Sequence, residues 1–141
     1  MKAIANSTKT ISLSAAQRVS LAGLEAASQI GVPMAVVVVD RAGQVVSAVR
    51  MDGATVLAYE VAFRKAWTSA MTGAPTEGVR QFISSDAGAL LSMPHVPNFS
   101  AVGGGLPLLG QGVCIGGVGV SGASVELDSK VATAAAEALA E

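Results

Sequence analysis

Glycine is concentrated in the last third of the chain, where it recurs throughout residues 103–122. Glycine weakens a strand, because it loses much backbone entropy on folding and offers no side chain to pack. A strand-like segment that keeps so many glycines is therefore expected to lie close to another backbone or to a ligand. We expect this segment to shape a crevice for a small molecule, opposite a helix with a similarly smooth face.

The same segment contains Gly117-Val-Gly119-Val-Ser-Gly122, a formal match to the G-x-G-x-x-G fingerprint of dinucleotide-binding folds. That fold needs a further strand after the helix, and an acidic residue about 20 positions on that holds the ribose. Here one predicted helix follows the glycines. We therefore expect no nucleotide-binding fold.

Length and charge limit the class of protein. The 141 residues suit a single domain, 1–141, and the formal net charge of −1 argues against a nucleic-acid surface. The longest apolar run, 32–39, is too short to span a bilayer, and the first residues lack the apolar core of a signal peptide. We expect a cytoplasmic protein without a membrane partner, whose lone Cys114 acts as a small buried hydrophobe.

Helices alternate with two β-hairpins along the sequence. The first hairpin is predicted over 34–39 and 44–50, and the second over 106–109 and 113–120. Capping and stop signals place the helices around them. They are a first helix beginning at Ser12 or Ser14 and ending near 30, a second over 54–71 capped by Asp52, a short third over 76–82 capped by Thr76, and a last one opening near Ser124. The stretch from 83 to 105 is expected to be irregular.

The second helix carries two stripes of side chains at a spacing of four residues. One is a row of alanines, which would let the helix pack closely on the glycine-rich strand; it comprises Ala54, Ala58, Ala62, Ala66 and Ala70. The other is the aromatic row Tyr59, Phe63 and Trp67. This row would line a flat apolar ligand such as a porphyrin, or belong to the core or to a subunit interface.

Three charged residues lie near these smooth faces. Lys65 stands beside the alanine row, where it would extend outward or meet Glu126 or Asp128 across the glycine-rich strand. Both carboxylates fall in the first turn of the last helix, where the helix dipole favours negative charge. They would serve the helix alone, or act as proton shuttles beside backbone amides that stabilise an oxyanion.

The only histidine, His95, stands between two prolines that restrict its backbone. It is a candidate axial haem ligand, a candidate acid or base, or an ordinary surface residue. Met93, Tyr59 and Cys114 are further candidate iron ligands, and no zinc spacing such as C-x-x-C is present. Arg50 would bind a carboxylate ligand with its planar guanidinium, or form an ion pair with Asp52 or Asp128.

Several motifs in order along the chain resemble the GlcG/HbpS-like family, the haem-binding or haem-degrading domain also found at the C-terminus of PduO cobalamin adenosyltransferases. They are Val36-Val-Val-Val-Asp40-Arg-Ala-Gly43, Arg50-Met-Asp52-Gly53-Ala54, Arg64-Lys65-Ala66, Gly104-Gly105-Leu-Pro107, and Gly116-Gly-Val-Gly119-Val-Ser-Gly122 followed by Glu126 and Asp128. The resemblance implies an α/β (α+β) fold, a profilin-like three-layer α/β/α arrangement around a five-stranded antiparallel sheet. It also implies assembly into homo-oligomers, from dimers to octamers.

Three functions follow, of which the resemblance favours the first. One is haem binding, with possible haem degradation as the family implies, in a cleft between the glycine-rich strand and the second helix. The residues predicted for it are His95 or Met93 at the iron, Arg50 or Lys65 at the propionates, and Tyr59, Phe63, Gly104 and Gly105 along the cleft. Where a family member uses a histidine of the first helix as iron ligand, this chain has only Gln17 and Arg18.

The second function is a cofactor-free enzyme of small-molecule catabolism, an isomerase, tautomerase or decarboxylase. It would use Glu126, Asp128, Lys65 and His95 as acid/base groups on a keto acid or a hydroxylated ring compound. The third is a non-catalytic accessory protein that acts by oligomeric assembly.

Overall fold

The computed structural model describes residues 2–140, which form five α-helices, a short 3-10 helix and four strands. In chain order these elements are α1 (Leu13–Ile30), β1 (Ala35–Asp40), β2 (Val45–Arg50), α2 (Val56–Thr72), α3 (Thr76–Ser84), α4 (Ala87–Ser92), the 3-10 turn Met93–His95, β3 (Gly105–Gly110), β4 (Val113–Ser121) and α5 (Val125–Glu137). Both predicted hairpins and all four predicted helices are present.

The strands form one antiparallel sheet in the order β2-β1-β4-β3. The expectation of a fifth strand is wrong for residues 2–140, since the two hairpins supply every strand of this sheet. The stretch expected to be irregular also folds further than predicted. It contains α4, which begins where the Asp86 carboxylate accepts a hydrogen bond from the Ala89 amide at 2.9 Å, and the 3-10 turn.

The sheet is covered by helices on both faces. Residues of β1 alternate between them: Val36 and Val38 belong to a cluster with side chains of α1 and α5, whereas Val37 and Val39 pack with the alanine row of α2. Because β1 is buried on both sides, it reads as an unbroken apolar run rather than as an alternating one. The result is a layered α+β fold with α1 and α5 on one face and α2 on the other.

The glycine-rich strand β4 lies directly against α2. A Cβ atom added to Gly119 would collide with the carbonyl oxygen of Ala62, and one added to Gly117 would collide with that of Ala66. The predicted crevice between this strand and the second helix is therefore wrong. Its place is filled by the backbone of the helix, because alanine and glycine leave no side chains to hold the two elements apart.

Helix caps follow the sequence signals with two exceptions. Ser12 caps α1 and Ser124 caps α5, as predicted. Asp52 does not cap α2; it lies in the turn before the helix, and Thr55, the residue next to the first helical position, accepts the Ala58 amide instead at 3.0 Å. Thr76 is the first residue of α3 rather than its cap, and its buried hydroxyl accepts a hydrogen bond from the Gly105 amide at 3.0 Å.

Candidate functional site

An open pocket of about 570 Å³ follows the exposed side of α2, and we call it the aromatic groove. It is lined by Tyr59, Glu60, Phe63 and Trp67 from α2, by turn residues 43–45 and by Asn98. Its volume falls within the range of about 300–1,000 Å³ that is usual for small-molecule sites. The aromatic row predicted from the four-residue spacing therefore lines a concave surface that also carries the polar side chains Gln44, Glu60 and Asn98.

The turn between β1 and β2 forms one wall of the groove. The Asp40 carboxylate accepts hydrogen bonds from the amides of Ala42 and Gln44 at 2.9 and 3.0 Å, which fix the turn. Gly43 adopts φ +80°, and a Cβ atom there would stand 2.6 Å from Cδ1 of Trp67. Only glycine at position 43 lets the turn lie flat against the Trp67 indole. The same glycine therefore allows the turn to form a wall of the groove.

The four candidate iron ligands lie in different places. Tyr59 is half-buried and lines the aromatic groove. His95 is exposed in the 3-10 turn, three residues before Asn98. Met93 lines a separate apolar cavity of about 380 Å³ next to α3. The Cys114 thiol points toward the carbonyl oxygens of Ala70 and Gly116, at 3.9 and 3.4 Å.

Lys65 and Asp128 form a buried ion pair, with 3.0 Å between Nζ and Oδ2 and side chains 1% and 4% exposed. The lysine also donates to the Val120 carbonyl oxygen at 2.9 Å, and the second carboxylate oxygen accepts the Ala123 amide at 2.9 Å. Burial lowers the pKa of Lys65, and the charge of Asp128 and its hydrogen bond to the lysine oppose that shift. The pair thus connects α2, β4 and the start of α5.

Gly104 and Gly105 cover this ion pair. Gly104 adopts φ +116°, and a Cβ atom there would stand 2.8 Å from the Lys65 Nζ and 2.9 Å from the Val120 oxygen. A Cβ atom on Gly105 would stand 2.6 Å from the Lys65 backbone oxygen. Both predicted cofactor-binding glycines therefore contact the protein itself, and their close approach encloses the lysine.

The predicted acid/base residues separate into two environments. Lys65 and Asp128 are in contact, as one of the two pairings proposed for the lysine predicts. Glu126 is exposed in the first turn of α5, and His95 is exposed in the 3-10 turn. Nothing in their positions joins these two side chains to the buried pair, so a catalytic role for the four together stays a prediction.

Arg50 forms neither of the ion pairs considered for it with Asp52 or Asp128. Its guanidinium donates to the Ala54 carbonyl oxygen at 2.7 Å, close to the start of α2. The arginine therefore joins the end of β2 to the segment before α2, and it is not among the residues that line the aromatic groove.

Sequence reasoning missed the contributions of Gln44, Val45 and Asn98 to the groove. Asn98 adopts φ +68° directly after Pro97, and asparagine after proline is a usual turn signal. That signal marks a turn, but which surface the turn faces depends on the path of the whole 93–104 segment.

Two properties of residues 2–140 concern metals and membranes. No group of three or more His, Cys, Asp or Glu side chains in this range could hold a metal ion. None of the helices in it has both the length and the apolar character needed to cross a bilayer.

Comparison with known proteins places this fold in a family. Residues 11–137 match the family model described as haem degrading protein HbpS-like. An uncharacterized 15.0 kDa protein of Citrobacter freundii, from the dhaT-dhaS intergenic region, is 33% identical over 133 residues, 94% of each chain. The corrinoid adenosyltransferase PduO of Salmonella typhimurium is 34% identical over 84% of this chain, which spans only 35% of that relative.

Two solved structures share the architecture. The crystal structure of HbpS superposes with a TM-score of 0.90 at 32% identity, over 98% of this chain and 96% of that one. The crystal structure of a PduOC–haem complex superposes with a TM-score of 0.83 at 32% identity, over 93% and 96%. The family model and both solved structures match nearly the whole chain, and the shared fold is an antiparallel sheet with helices. This chain therefore belongs to the HbpS-like haem-degrading protein family.

Proposed function

We propose that this protein binds haem in the aromatic groove. The observation that carries the proposal is the groove itself, a site of about 570 Å³ bordered by three aromatic side chains on a rigid helix. A PduOC domain of the same fold, 32% identical to this chain, forms a complex with haem. The groove replaces the cleft expected beside the glycine-rich strand, which α2 fills.

The aromatic row is the part of the groove that suits a porphyrin. Phe63 and Trp67 present half-buried aromatic surface to a flat conjugated ring. Bound haem would supply iron redox and oxygen chemistry, whereas the chain would supply aromatic surface and orientation. The turn at 43–45 limits how the ring edge lies, because Gly43 is held against the Trp67 indole.

The haem propionates need a cation near the groove. Lys65 is already bonded to Asp128 and buried, so it does not serve. Arg50 is exposed at the junction of β2 and α2 and has guanidinium hydrogens beyond the one given to Ala54. We therefore assign the propionate contact to Arg50.

A hemin titration tests the proposal. Wild-type protein should give a sharp Soret band that saturates at equimolar hemin. Phe63→Ala should weaken binding about tenfold, the effect of losing about 1.4 kcal/mol of ring contact. Leu21→Ala, at an exposed apolar residue of α1 outside the groove and outside the proposed assembly surface, is the control and should bind like wild type. Only the broad absorbance of unliganded hemin, with wild type as with Phe63→Ala, would rule the function out.

Haem degradation is the finer part of the same proposal, supported by the description of the family that this chain joins. With dioxygen and a reductant such as ascorbate, the bound Soret band should then decay faster than that of free hemin.

The acid/base enzyme has weaker support. Lys65 and Asp128 satisfy each other and two backbone groups, and they are enclosed by Gly104. A buried pair of this kind has a structural role that needs no substrate. Glu126 and His95 are not among its hydrogen-bond partners.

Self-assembly is the second part of the proposal. Large apolar side chains lie exposed on the neighbouring helices α3 and α4: Phe82 is 65% exposed, Leu90 51% and Leu91 73%. Neighbouring apolar side chains left in water are typical of a surface that a partner covers, and we assign that partner as a second copy of this chain.

A further inference from the structure

We infer that the aromatic groove binds an organic cation of the alkylated ammonium class. The inference goes beyond the proposed function, because it assigns a second kind of ligand to the same groove and does not require haem. A porphyrin does not account for the polar part of the lining. Besides the aromatic row, the groove is lined by Glu60, Gln44 and Asn98, and more of its surface is polar than apolar.

The three aromatic rings provide one attraction for a cation. Tyr59, Phe63 and Trp67 follow one another at intervals of four residues, so they lie along one side of α2. All three are half-buried and line the groove, so each keeps part of its ring surface open to a ligand. The face of an aromatic ring is electrically negative, and it attracts a cation that lies within about 6 Å of the ring centre.

Glu60 provides the second attraction, a counter-charge. It follows Tyr59 directly in the helix, is exposed and lines the same groove. Neither of the two ion pairs found among residues 2–140 includes this carboxylate. Arg64, one turn further along α2, is exposed but does not line the groove. The carboxylate is therefore available to a ligand cation, and because water reaches it, the expected attraction is modest.

The rest of the lining is compatible with a positive charge. No lysine, arginine or histidine of residues 2–140 lines the groove, so no side chain on its walls repels a cation. The amide oxygens of Gln44 and Asn98 are acceptors for any N–H that the ammonium group keeps. At about 570 Å³, the groove has room for the cation together with the small molecule that carries it.

The single tryptophan of the chain makes a direct test possible, because Trp67 lines the groove and its fluorescence reports occupancy. The probe is choline chloride, at an ionic strength held constant with sodium chloride. Its neutral analogue 3,3-dimethyl-1-butanol has carbon in place of the charged nitrogen. Choline should change the Trp67 emission in a saturable way, and the analogue should bind at least about threefold more weakly, because it lacks the charge. A merely apolar groove would bind the analogue at least as well as choline.

Two substitutions separate the carboxylate from the rings. Glu60→Gln removes the charge at nearly constant size and should weaken choline binding about two- to fivefold. Phe63→Leu keeps an apolar side chain but removes one aromatic face, and it should also weaken choline binding about two- to fivefold. Glu25→Gln is the matched control: it makes the same change at an exposed position of α1, on the other face of the sheet, and should bind choline like wild type.

Equal binding of choline and its neutral analogue would overturn the inference, as would equal choline binding by wild type and Glu60→Gln, or an emission that choline leaves unchanged. These results would leave the proposed function standing, because hemin binding is measured separately by the Soret band. If choline binds as described and hemin does not, the haem proposal alone is wrong. Circular dichroism checks that each variant is folded, and because Glu60 is exposed, Glu60→Gln keeps the test valid even if Phe63→Leu does not fold.

Discussion

At the scale of single residues, Lys65 and Asp128 form a buried ion pair whose disruption is expected to be costly. Each ion has left water, and each is compensated by the other and by one backbone group. Such a pair adds little net stability over well-packed apolar residues, but removing one member leaves a buried charge without compensation. The free-energy cost of burying either charge therefore depends chiefly on the presence of the other.

Asp128→Asn is expected to lower the free energy of unfolding by about 3–5 kcal/mol, because it leaves the Lys65 ammonium buried without a counter-charge. Urea denaturation measures the change. Glu126→Gln makes the same replacement of carboxylate by amide two positions earlier, at an exposed site, and should stay within about 0.5 kcal/mol of wild type. Equal effects of the two substitutions on the free energy of unfolding would contradict the role of Asp128 as the counter-charge of buried Lys65.

At the scale of secondary-structure elements, the contact between α2 and β4 determines how closely the helix lies to the sheet. The alanine row and the glycines bring backbone against backbone: a Cβ atom on Gly119 would stand 2.6 Å from the Ala66 amide nitrogen and would overlap the Ala62 oxygen. Each aromatic residue of the row follows an alanine by one position, so the aromatic row lies beside the alanine row, about 100° further around α2. The groove therefore runs along the side of the helix next to its contact with the sheet.

Gly119→Ala should destabilise the protein by about 3 kcal/mol, because the added methyl group collides with the backbone of α2 rather than with a movable side chain. Gly78→Ala is the control, since a Cβ atom there meets no atom within 4 Å inside α3. It should raise stability by about 0.5–1 kcal/mol through helix propensity. Thermal unfolding followed by circular dichroism measures both, and a Gly119→Ala variant as stable as wild type would contradict the close contact.

At the scale of the whole molecule, the two faces of the sheet differ in how much apolar core they bury. The face toward α1 and α5 holds the larger cluster of valines and leucines. The face toward α2 is thinner, and it places the aromatic groove and the exposed α3–α4 surface on the outside. The larger apolar core and the two surfaces proposed for binding therefore lie on opposite sides of one sheet.

The proposed assembly predicts a molar mass in solution that is a multiple of the 14.0 kDa chain, measured by size exclusion with light scattering. The double substitution Phe82→Glu and Leu91→Glu should shift the protein to a smaller species, because charge at a buried contact opposes association. Ile4→Glu adds a glutamate at a fully exposed position outside this surface and should leave the mass unchanged. A wild-type mass of one chain would disprove the assembly.

Much of the fold follows from local patterns. Both hairpins were predicted because turn residues such as Asp40 and Gly43 separate apolar runs, and Ser12 and Ser124 were found as caps because they stand directly before periodic segments. Asp52 was wrong as a cap, since it lies in the turn at 52–53 and the helix begins only after Thr55. The fifth strand was wrong for the described residues, because it came from resemblance rather than from a strand pattern in this sequence.

The sequence by itself determined both hairpins, four of the five helices, the order of these elements, the two stripes of α2 and the family of the chain. Periodicity and capping are properties of neighbouring residues, so they are readable along the chain. Only the tertiary structure decided that the glycine-rich strand meets a helix instead of a ligand, that Lys65 is paired with Asp128, and that the aromatic row lines an open groove. Those outcomes depend on which surfaces meet in the folded chain, and residues far apart in sequence decide them; Lys65, for example, contacts groups 55 and 63 positions away.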